Sequence, residues 1–299
     1  MNIKAIFKKR CLWTIALYKI KDESQIFNLS SLSPFRFIGE TGLRRNKEYH
    51  HTTADPFLFV QNERLYLFYE TQTDFGVGQI YAQSMDIHGA WVDHGQVLKE
   101  DFHLSYPQVF AHNGQVWMIP EAASSGKVWL YAAELFPNNW RRVKVLIDEP
   151  LVDPSVVIKL EGIYLFGTTR TYELKLFFAS DFNQEFVLID CGISNDKFIA
   201  RNAGRPIYIE NVLYRVAQNC KLKYGENISL LRIDQLSIDG YCEQIITPDL
   251  YQTKPKWMEE GYHHISTALL GDEHFVAVDG MRRDKYLNTL LLAYFKVFE

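Results

Sequence analysis

A repeated two-strand unit is the feature that most constrains how this chain can fold. Its first copy begins at Ala54-Asp55-Pro56, passes through a polar turn near Asn62 and ends at Glu70. Related copies follow at intervals of about 50 residues, beginning at Leu104, Val152, Ala203 and Gly261. A repeat of this length that contains several strands is typical of a propeller blade, so five copies predict five blades.

Each unit continues beyond its first two strands. In the first unit, segments 79–84 and 91–98 have strand composition, and the second unit repeats them at 128–133 and 140–146. We therefore predict an all-β fold, a five-bladed β-propeller with four-stranded blades around a central channel, in which residues 1–299 form one domain. The predicted blade cores lie near residues 54–98, 104–146, 152–190, 201–246 and 261–295.

Two strand-like segments near the ends of the chain, 11–18 and 290–295, lie outside this pattern. Because open sheet edges are unfavourable, we expect them to share one blade and close the ring. The basic residues before Cys11 also allow a targeting or membrane-associated segment, although Lys19 ends this short apolar run. No stretch reaches the roughly 18 apolar residues of a transmembrane helix, so we expect a cytoplasmic protein. Short helical turns are expected within 20–35 and 219–260.

The composition argues against several classes of partner and site. The formal net charge is −4 and the basic residues are scattered, so nucleic acid is not an expected partner. The four cysteines have no CxxC spacing, which argues against a zinc site and a thioredoxin-like motif. We expect free, buried thiols, and neither a cofactor nor a metal ion.

Equivalent positions in the repeats indicate the functional site. The innermost strands of a small propeller line the channel, so equivalent positions in different blades lie close together. These positions vary although the strands around them are similar, which favours a site over a scaffold. Before the repeated proline they are Asp55, Tyr106, Asp153 and Arg205, with His263 or His264 in the fifth unit. At the end of the second strand they are Glu70, Glu121, Thr168, Gln218 and Asp279.

Each of these candidates also has a structural interpretation. Asp55 and Asp153 can cap backbone N–H groups at a strand-entry turn. Glu121 can form an ion pair, and Arg201 and Arg205 can form salt bridges at the surface or between blades.

The remaining polar candidates leave similar alternatives open. His263 and His264 could ligate a metal, but adjacent side chains on a strand point to opposite faces, so at most one faces the channel. The segment from Gln218 to Tyr224 is compatible with hydrogen bonding to sugar hydroxyls and equally with a structural turn.

Several of these segments resemble a known family. The most specific are His103-Leu104-Ser105-Tyr106-Pro107 and Met118-Ile119-Pro120-Glu121. Between Trp13 and His264, the chain is similar to the N-terminal propeller domain of plant glucosamine inositolphosphorylceramide transferases and their bacterial relatives. The resemblance implies a five-bladed propeller and a role in glycan or glycolipid assembly. In the plant proteins, a separate C-terminal domain resembles the glycosyltransferase.

A more distant similarity is to the family 43 glycoside hydrolases, which are five-bladed propellers with three channel carboxylates. Their pattern implies a general base at Asp55 and an orienting carboxylate at Asp153. It also implies a general-acid Glu on the fourth blade, where this sequence has Gly204-Arg205-Pro206. Without that acid, an unactivated glycoside loses a factor of about 10²–10⁴ in rate.

The departure at Arg205 favours glycosyl transfer from an activated or anionic sugar donor, such as a nucleotide- or phosphate-activated sugar. In this hypothesis Asp55 deprotonates the acceptor, Asp153 orients the acceptor or the donor sugar, and Arg201 and Arg205 hold the anionic group. The predicted substrate-binding residues are His103, Tyr106, Arg201, Arg205, Gln218, Tyr224, His263 and His264.

Two alternatives remain open at this point. One is an inverting glycoside hydrolase with Asp55 as base and Glu121 as acid. The other is a non-catalytic propeller that binds glycans or docks to other glycan-biosynthesis proteins.

Overall fold

The fold is given by a computed structural model, which describes residues 10–39, 43–45, 48–73, 76–189 and 195–284. The strand predicted at 290–295 lies outside the described residues, and so does Cys191. All long elements in the described part of the chain are β-strands.

The strands are numbered in chain order. The first eleven are β1 (Arg10–Ile20), β2 (Arg36–Ile38), β3 (Leu43–Arg45), β4 (Glu48–Gln61), β5 (Arg64–Thr73), β6 (Gln79–Asp86), β7 (Trp91–Leu98), β8 (Ser105–His112), β9 (Gln115–Glu121), β10 (Val128–Leu135) and β11 (Asn139–Ile147). They are followed by β12 (Val152–Lys159), β13 (Gly162–Thr168), β14 (Leu174–Ala179), β15 (Val187–Leu188), β16 (Arg201–Asn202), β17 (Ile207–Ile209), β18 (Val212–Asn219), β19 (Asn227–Ser237), β20 (Gly240–Thr247), β21 (Ile265–Leu270) and β22 (Glu273–Asp284).

These strands form five sheets, which are the blades of a five-bladed β-propeller, as predicted. Blade 1 has the order β3-β4-β5-β6-β7, blade 2 contains β8 to β11, and blade 3 contains β12 to β15. In blade 4, both β16 and β17 pair with β18, so two short strands share the innermost position, and β19 and β20 follow.

Blade 5 joins the two ends of the described chain. Its order is β21-β22-β1-β2, so two strands from the C-terminal side pair with two from the N-terminal side. The β1–β22 pairing is continuous from Arg10 opposite Asp284 to Ile20 opposite His274. The apolar segment after Cys11 is therefore a strand of the propeller ring.

The first two strands of most blades are joined by tight turns with left-handed backbone. In blade 1, Asn62 and Glu63 have φ values of 50° and 55°, and Asn113 and Gly114 occupy the same place in blade 2 with 50° and 75°. Two-residue turns of this kind match the right-handed twist of the strands they connect. This match explains why a polar turn separates the two apolar strands of each repeat.

The hydrophobic core of the described residues is divided into five clusters, one between each pair of neighbouring blades. On β4, Leu58 packs toward blade 5, whereas the next residue, Phe59, packs toward blade 2. Leu67 and Phe68 on β5 alternate in the same way. Because both faces of each blade are buried, the inner strands are apolar throughout instead of alternating with polar residues.

Short 3₁₀ helices occur at Glu23–Ser31, Ala123–Ser125 and Lys256–Met258. The first and third fall within the predicted ranges. Asp22 begins the first one, since its side chain accepts a hydrogen bond from the amide of Ser24. In the described part of the chain, no helix has the length and apolarity needed to cross a membrane.

Near the axis, the carboxylate of Asp279 connects the last blade to the first. Its Oδ2 accepts a hydrogen bond from the amide of Asp55 (3.1 Å). Its Oδ1 accepts hydrogen bonds from the amides of His263 (3.0 Å) and His264 (2.9 Å). Asp279 is completely buried. If its carboxylate were removed, water could not readily replace it as the acceptor of these three hydrogen bonds.

We expect Asp279→Ala to destabilise the protein by at least about 3 kcal/mol, because three buried amides and a buried histidine lose their acceptor. Urea unfolding monitored by tryptophan fluorescence measures this change. Asp272→Ala removes an exposed carboxylate from the turn before the same strand and should change stability by less than about 0.5 kcal/mol. A loss below about 1 kcal/mol for Asp279→Ala would show that the contact is not needed for ring closure.

Candidate functional site

The site begins with an irregularity that is repeated in three blades. Ala54 pairs with Glu70 and Phe57 pairs with Phe68, so that Asp55 and Pro56 together oppose a single residue of β5. Such a bulge changes the direction of a side chain. Blades 2 and 3 have the same register shift after Ser105 and after Val152.

The residue before each of the three prolines has left-handed backbone. The φ values are 53° for Asp55, 49° for Tyr106 and 49° for Asp153. This conformation costs an L-residue of order 1–2 kcal/mol, and least for Asp and Asn, whose side chains tolerate it. The repeated X-Pro step is therefore a strained turn that directs three side chains toward the axis.

The inner ends of the blades surround a pocket of about 460 Å³. Its polar wall contains Asp55, Glu70, His103, Glu121, Arg201 and His263, and Trp13, Arg170 and Tyr224 also line it. Asp55, Glu70 and Glu121 are each less than 10% exposed. The pocket thus brings together six of the sequence-predicted residues: Asp55, His103, Glu121, Arg201, Tyr224 and His263.

Asp55 is an ionised carboxylate at neutral pH. Burial alone would raise its pKa, but the neighbouring His264 and His263 imidazoles and the Arg201 guanidinium outweigh this effect and hold the pKa at about 2. Its Oδ2 also accepts a hydrogen bond from the amide of Tyr106 (3.2 Å). The capping interpretation of Asp55 is therefore correct as well, since one oxygen fixes the carboxylate to blade 2.

Glu121 has the opposite electrostatic environment. Burial and the charge of Asp153 raise its pKa to about 7, although Arg201 partly offsets them. Ser105 donates a hydrogen bond to Oε2 of Glu121 (3.3 Å). No ion pair of Glu121 is found in the described part of the chain. A large fraction of Glu121 is therefore protonated near neutral pH and available as an acid.

Asp153 is held by blade 4. Arg201 donates to it through Nε (2.5 Å to Oδ2) and Nη2 (3.3 Å to Oδ1), and Gln218 donates to Oδ2 (3.0 Å). The Arg201–Asp153 contact is thus a salt bridge between blades, which was the structural alternative for Arg201. Asp153 is only 2% exposed, so it orients Arg201 from beneath the pocket wall.

An aromatic corner closes the blade 5 side of the pocket. Trp13 stacks on His263 with ring centroids 4.0 Å apart, and Tyr224 meets the same imidazole edge-on at 5.2 Å. The guanidinium of Arg201 lies 5.0 Å from the Tyr224 ring centroid. Burial lowers the pKa of His263, but the charges of Asp279 and Asp55 raise it above its ordinary value. Tyr224 is about half exposed at the mouth and can stack on a sugar ring.

Asp55, His263 and Asp279 each place a potential metal-ligand atom within 4.8 Å of the other two. The geometry fits an ion-pair cluster better than a metal site. Both carboxylate oxygens of Asp279 already accept amide hydrogen bonds, and Nδ1 of His263 lies 2.8 Å from its Oδ2. Asp279 is therefore already hydrogen-bonded to Asp55 and in ion-pair contact with His263.

Tyr106 and His264, which the sequence predicted to bind substrate, lie beneath the pocket. With Phe57 they form a plug of three rings whose centroids are 4.5 to 4.9 Å apart. The Tyr106 hydroxyl accepts a hydrogen bond from the amide of Gly204 (2.7 Å), on blade 4, and lies 2.7 Å from the Ser155 hydroxyl. The plug closes the central channel below the carboxylates.

Gln218 was also predicted to bind substrate, but it lies outside the pocket. Its amide nitrogen is used by Asp153 and by the carbonyl of Asn202 (3.1 Å), and its carbonyl accepts a hydrogen bond from Cys220. With 2% exposure it does not reach the pocket. It holds Asp153 in place from behind.

The prediction that Arg205 is the blade 4 equivalent of Asp55 is wrong. Gln218 pairs with Arg201 as Glu70 pairs with Ala54, so the next residue, Asn202, takes the place of Asp55. Arg205 follows a break in the innermost strand and donates to the carbonyl of Thr267 (2.8 Å). It makes a contact between blades 4 and 5, away from the pocket. The blade 4 position thus carries an amide, neither the acid nor an arginine.

Sequence reasoning missed Trp13 and Arg170 as parts of the pocket. Trp13 belongs to the N-terminal strand, which lies outside the repeats, and Arg170 lies on the turn after β13. Glu70 was recognised as a repeat-equivalent position but not selected. The repeat itself indicated Glu70, because Glu70 pairs with Ala54 as Glu121 pairs with Ser105.

The fold and the site define a five-bladed β-propeller with a carboxylate-lined pocket at one end of a plugged channel. Residues 44–281 match the family model described as glucosamine inositolphosphorylceramide transferase 1, N-terminal. The chain belongs to this family, as its motifs predicted.

Curated relatives carry the name glucosamine inositolphosphorylceramide transferase 1. The Oryza sativa subsp. japonica protein is 35% identical over 255 residues, and the Arabidopsis thaliana protein is 36% identical over 246 residues. Each alignment covers 77% of this chain but only 33% and 32% of the relatives. The chain therefore spans about a third of their length.

Solved structures with a similar fold include glycoside hydrolases. RS223 β-xylosidase has a TM-score of 0.54 and 15% identity, covering 76% of this chain and 91% of its own. A GH43_1 enzyme from Xanthomonas citri complexed with xylotriose has a TM-score of 0.55 and 14% identity, covering 88% of this chain and 93% of its own. At these identities, the similarity shows the fold.

The raised pKa of Glu121 predicts a pH-dependent difference in stability. Because the folded state holds a proton that the unfolded state loses near pH 4.5, this contribution is complete below that pH and is lost as pH rises through about 7. We expect Glu121→Gln, compared with the wild type, to gain up to about 3 kcal/mol of relative stability between pH 4 and pH 8.

Denaturant unfolding at several pH values measures this difference. Glu173→Gln is the matched control, because Glu173 is exposed on a turn. This variant controls for the loss of one exposed carboxyl group. A constant difference for Glu121→Gln would mean that Glu121 titrates as an ordinary glutamate.

Proposed function

We propose that this protein is a carbohydrate-active enzyme that transfers a glycosyl group by inversion in the axial pocket, with Asp55 as base and Glu121 as acid. One observation carries the proposal: two carboxyl groups of the same pocket have pKa values moved in opposite directions, to about 2 and about 7. Such a separation is the usual basis for assigning acid and base roles.

The chemistry of the two groups is complementary. Asp55 accepts the proton of an acceptor hydroxyl while the acceptor oxygen bonds to the anomeric carbon of the donor sugar. The bond from that carbon to the leaving oxygen breaks, and Glu121 donates its proton to this oxygen. Arg201, fixed by Asp153, and the aromatic corner of Trp13 and Tyr224 position the sugar between them.

The site supports a donor whose leaving group needs a proton. The sequence predicted that Arg201 and Arg205 together hold the anionic group of the donor. Arg205 does not fit this role, because it donates a hydrogen bond to the backbone of blade 5. Arg201 already forms a salt bridge with Asp153. Arg170, at the exposed edge of the pocket, is the remaining cation for a phosphate-activated donor. The names of the relatives favour transfer to a glycan or glycolipid acceptor as the outcome.

A second candidate is glycoside hydrolysis, in which water takes the place of the acceptor hydroxyl. The protonated Glu121 favours it, since an acid of this kind is what an unactivated glycoside requires. The same two residues serve both reactions. The acceptor is the difference between them.

Variants of the two carboxylates test the assignment. Across a panel of aryl and alkyl glycosides, we expect Asp55→Asn to lower kcat/KM about 10²–10⁴-fold for every substrate. Glu121→Gln should cause a loss of similar size for alkyl glycosides and little loss for dinitrophenyl glycosides, whose leaving groups need no proton. Glu173→Gln is the control for loss of an exposed carboxyl group.

The products distinguish the two candidates, since an added alcohol or glycolipid acceptor yields a transfer product and water yields the free sugar. Full activity of Asp55→Asn would refute its role as base. An equal effect of Glu121→Gln on all leaving groups would remove Glu121 as acid. Turnover of nucleotide sugars that is insensitive to Glu121→Gln but lost in Arg170→Ala would favour an anionic donor.

The pH dependence of the reaction follows from the same two groups. With an alkyl glycoside, kcat/KM should fall as pH rises through about 7, because Glu121 loses its proton. Asp55 stays ionised down to about pH 2, so it should set no acid limb between pH 4 and pH 7. The alkaline limb should be absent for dinitrophenyl glycosides, and its presence there would assign it to another group.

A further inference from the structure

Glu70 is a pocket carboxyl group that the reaction above does not use. It lies on β5 opposite Ala54, is 7% exposed and lines the pocket together with Asp55. Burial, together with the carboxylates of Asp55, Glu121, Asp153 and Asp279, raises its pKa well above its ordinary value. Because these four acids lie on four different strands, acidic groups surround Glu70 on several sides.

Among the described residues, the basic side chain found in contact with Glu70 is His103, a histidine that its hydrogen bonding makes neutral. Nε2 of His103 lies 3.5 Å from Oε1 of Glu70. Nδ1 of His103 accepts a hydrogen bond from the amide of Gly78 (3.0 Å) and therefore carries no proton. The single ring proton is then on Nε2, which faces Glu70. Burial lowers the pKa of His103, which favours the same neutral form.

Glu70 thus has a neutral neighbour, and the described residues offer it no salt bridge to a lysine or an arginine. A buried carboxylate without a cation takes up a proton instead of remaining charged. Arg201 does not supply the missing charge, because its guanidinium is bound to Asp153. The geometry and the surrounding charges therefore agree on a neutral carboxylic acid.

We propose that Glu70 is a substrate-contacting carboxylic acid that stays protonated at neutral pH and, with His103, selects an uncharged hydroxyl group of the sugar. The inference rests on the proposed sugar-binding function of this pocket. A protonated carboxyl group donates one hydrogen bond and accepts another, which matches a hydroxyl group. A phosphate or carboxylate at this position would face four other acids.

Gly78 makes this arrangement possible. A Cβ at position 78 would lie 2.6 Å from Oε1 of Glu70 and 2.6 Å from Cε1 of His103. Only a residue without a side chain lets its amide reach His103 while Glu70 occupies the same space. The backbone of the β5–β6 connection thus fixes the proton position on His103.

The protonation state is tested directly, without any substrate. In protein carrying ¹³C-labelled glutamate, the carboxyl signal that disappears in Glu70→Gln is assigned to Glu70 and followed between pH 5 and pH 8. We expect it to keep the chemical shift of a protonated acid at pH 7, and the ¹⁵N shifts of His103 to show a proton on Nε2. A Glu70 signal with the chemical shift of an ionised carboxylate at pH 7, or a doubly protonated His103, would overturn the proposal.

Binding measurements test the recognition step. For the tightest-binding neutral methyl glycoside of a panel, calorimetry should show Glu70→Ala about tenfold weaker than Glu70→Gln, because glutamine keeps a donor and an acceptor. Equal loss in both variants, or tighter binding of an amino sugar that ionises Glu70, would contradict selection of a hydroxyl.

The two proposals fail separately. If no glycoside binds or reacts, the proposed function fails, whereas the carboxyl signal still reports whether Glu70 is protonated. If Glu70 is ionised while Asp55→Asn abolishes turnover, the function stands and the inference about Glu70 is lost.

Discussion

The structure depends on the carboxylate of Asp279, which accepts three buried amide hydrogen bonds where the last blade meets the first. A propeller ring is held mainly by apolar packing between blades, and such packing lacks the direction needed to place a side chain accurately. The hydrogen bonds to Asp55, His263 and His264 supply that direction. The contact that closes the ring therefore also positions the proposed base and one wall of the pocket.

Similar polar contacts link the other blades near the axis. Asp55 accepts from the amide of Tyr106, and Arg201 reaches back from blade 4 to Asp153. These residues would be costly to bury alone, but each is bonded to a neighbour. Asp55, which has histidine and arginine neighbours, has a lowered pKa, whereas Glu70 and Glu121, which form no salt bridge to a lysine or an arginine in the described structure, have raised pKa values. The difference in pairing produces both acids and bases within one small volume.

The sequence allowed much of the fold to be predicted, because spacing and alternation are properties of the chain itself. The X-Pro step and the polar turn mark each blade, and the apolar strands follow from burial on both faces. The positions of Asp55 and Glu121 were found in the same way. Repeat alignment fails where the repeat is broken. In blade 4, the innermost strand is interrupted between Asn202 and Ile207, so the proline beside Arg205 no longer marks the equivalent position.

Other features depend on contacts that no local pattern records. Trp13 reaches the pocket only because β1 completes blade 5, and Gln218 points behind Asp153 instead of into the pocket. The distinction between lining residues and the residues beneath them depends on depth along the axis. Sequence spacing shows on which blade and near which strand end a residue lies, but it does not show how deep along the axis the side chain lies. For this reason the sequence placed Tyr106 and His264 in the pocket, whereas they lie beneath it.

The plug formed by Phe57, Tyr106 and His264 has a consequence for the direction of traffic. Each of the three rings is at most 1% exposed, so the axis is sealed on one side of the carboxylates. A polysaccharide cannot be threaded through the ring, and whatever enters must leave through the opening by which it came. Under the proposed function, the pocket would therefore take the terminus of a glycan or a single headgroup, and the product would leave through the opening by which the substrate entered.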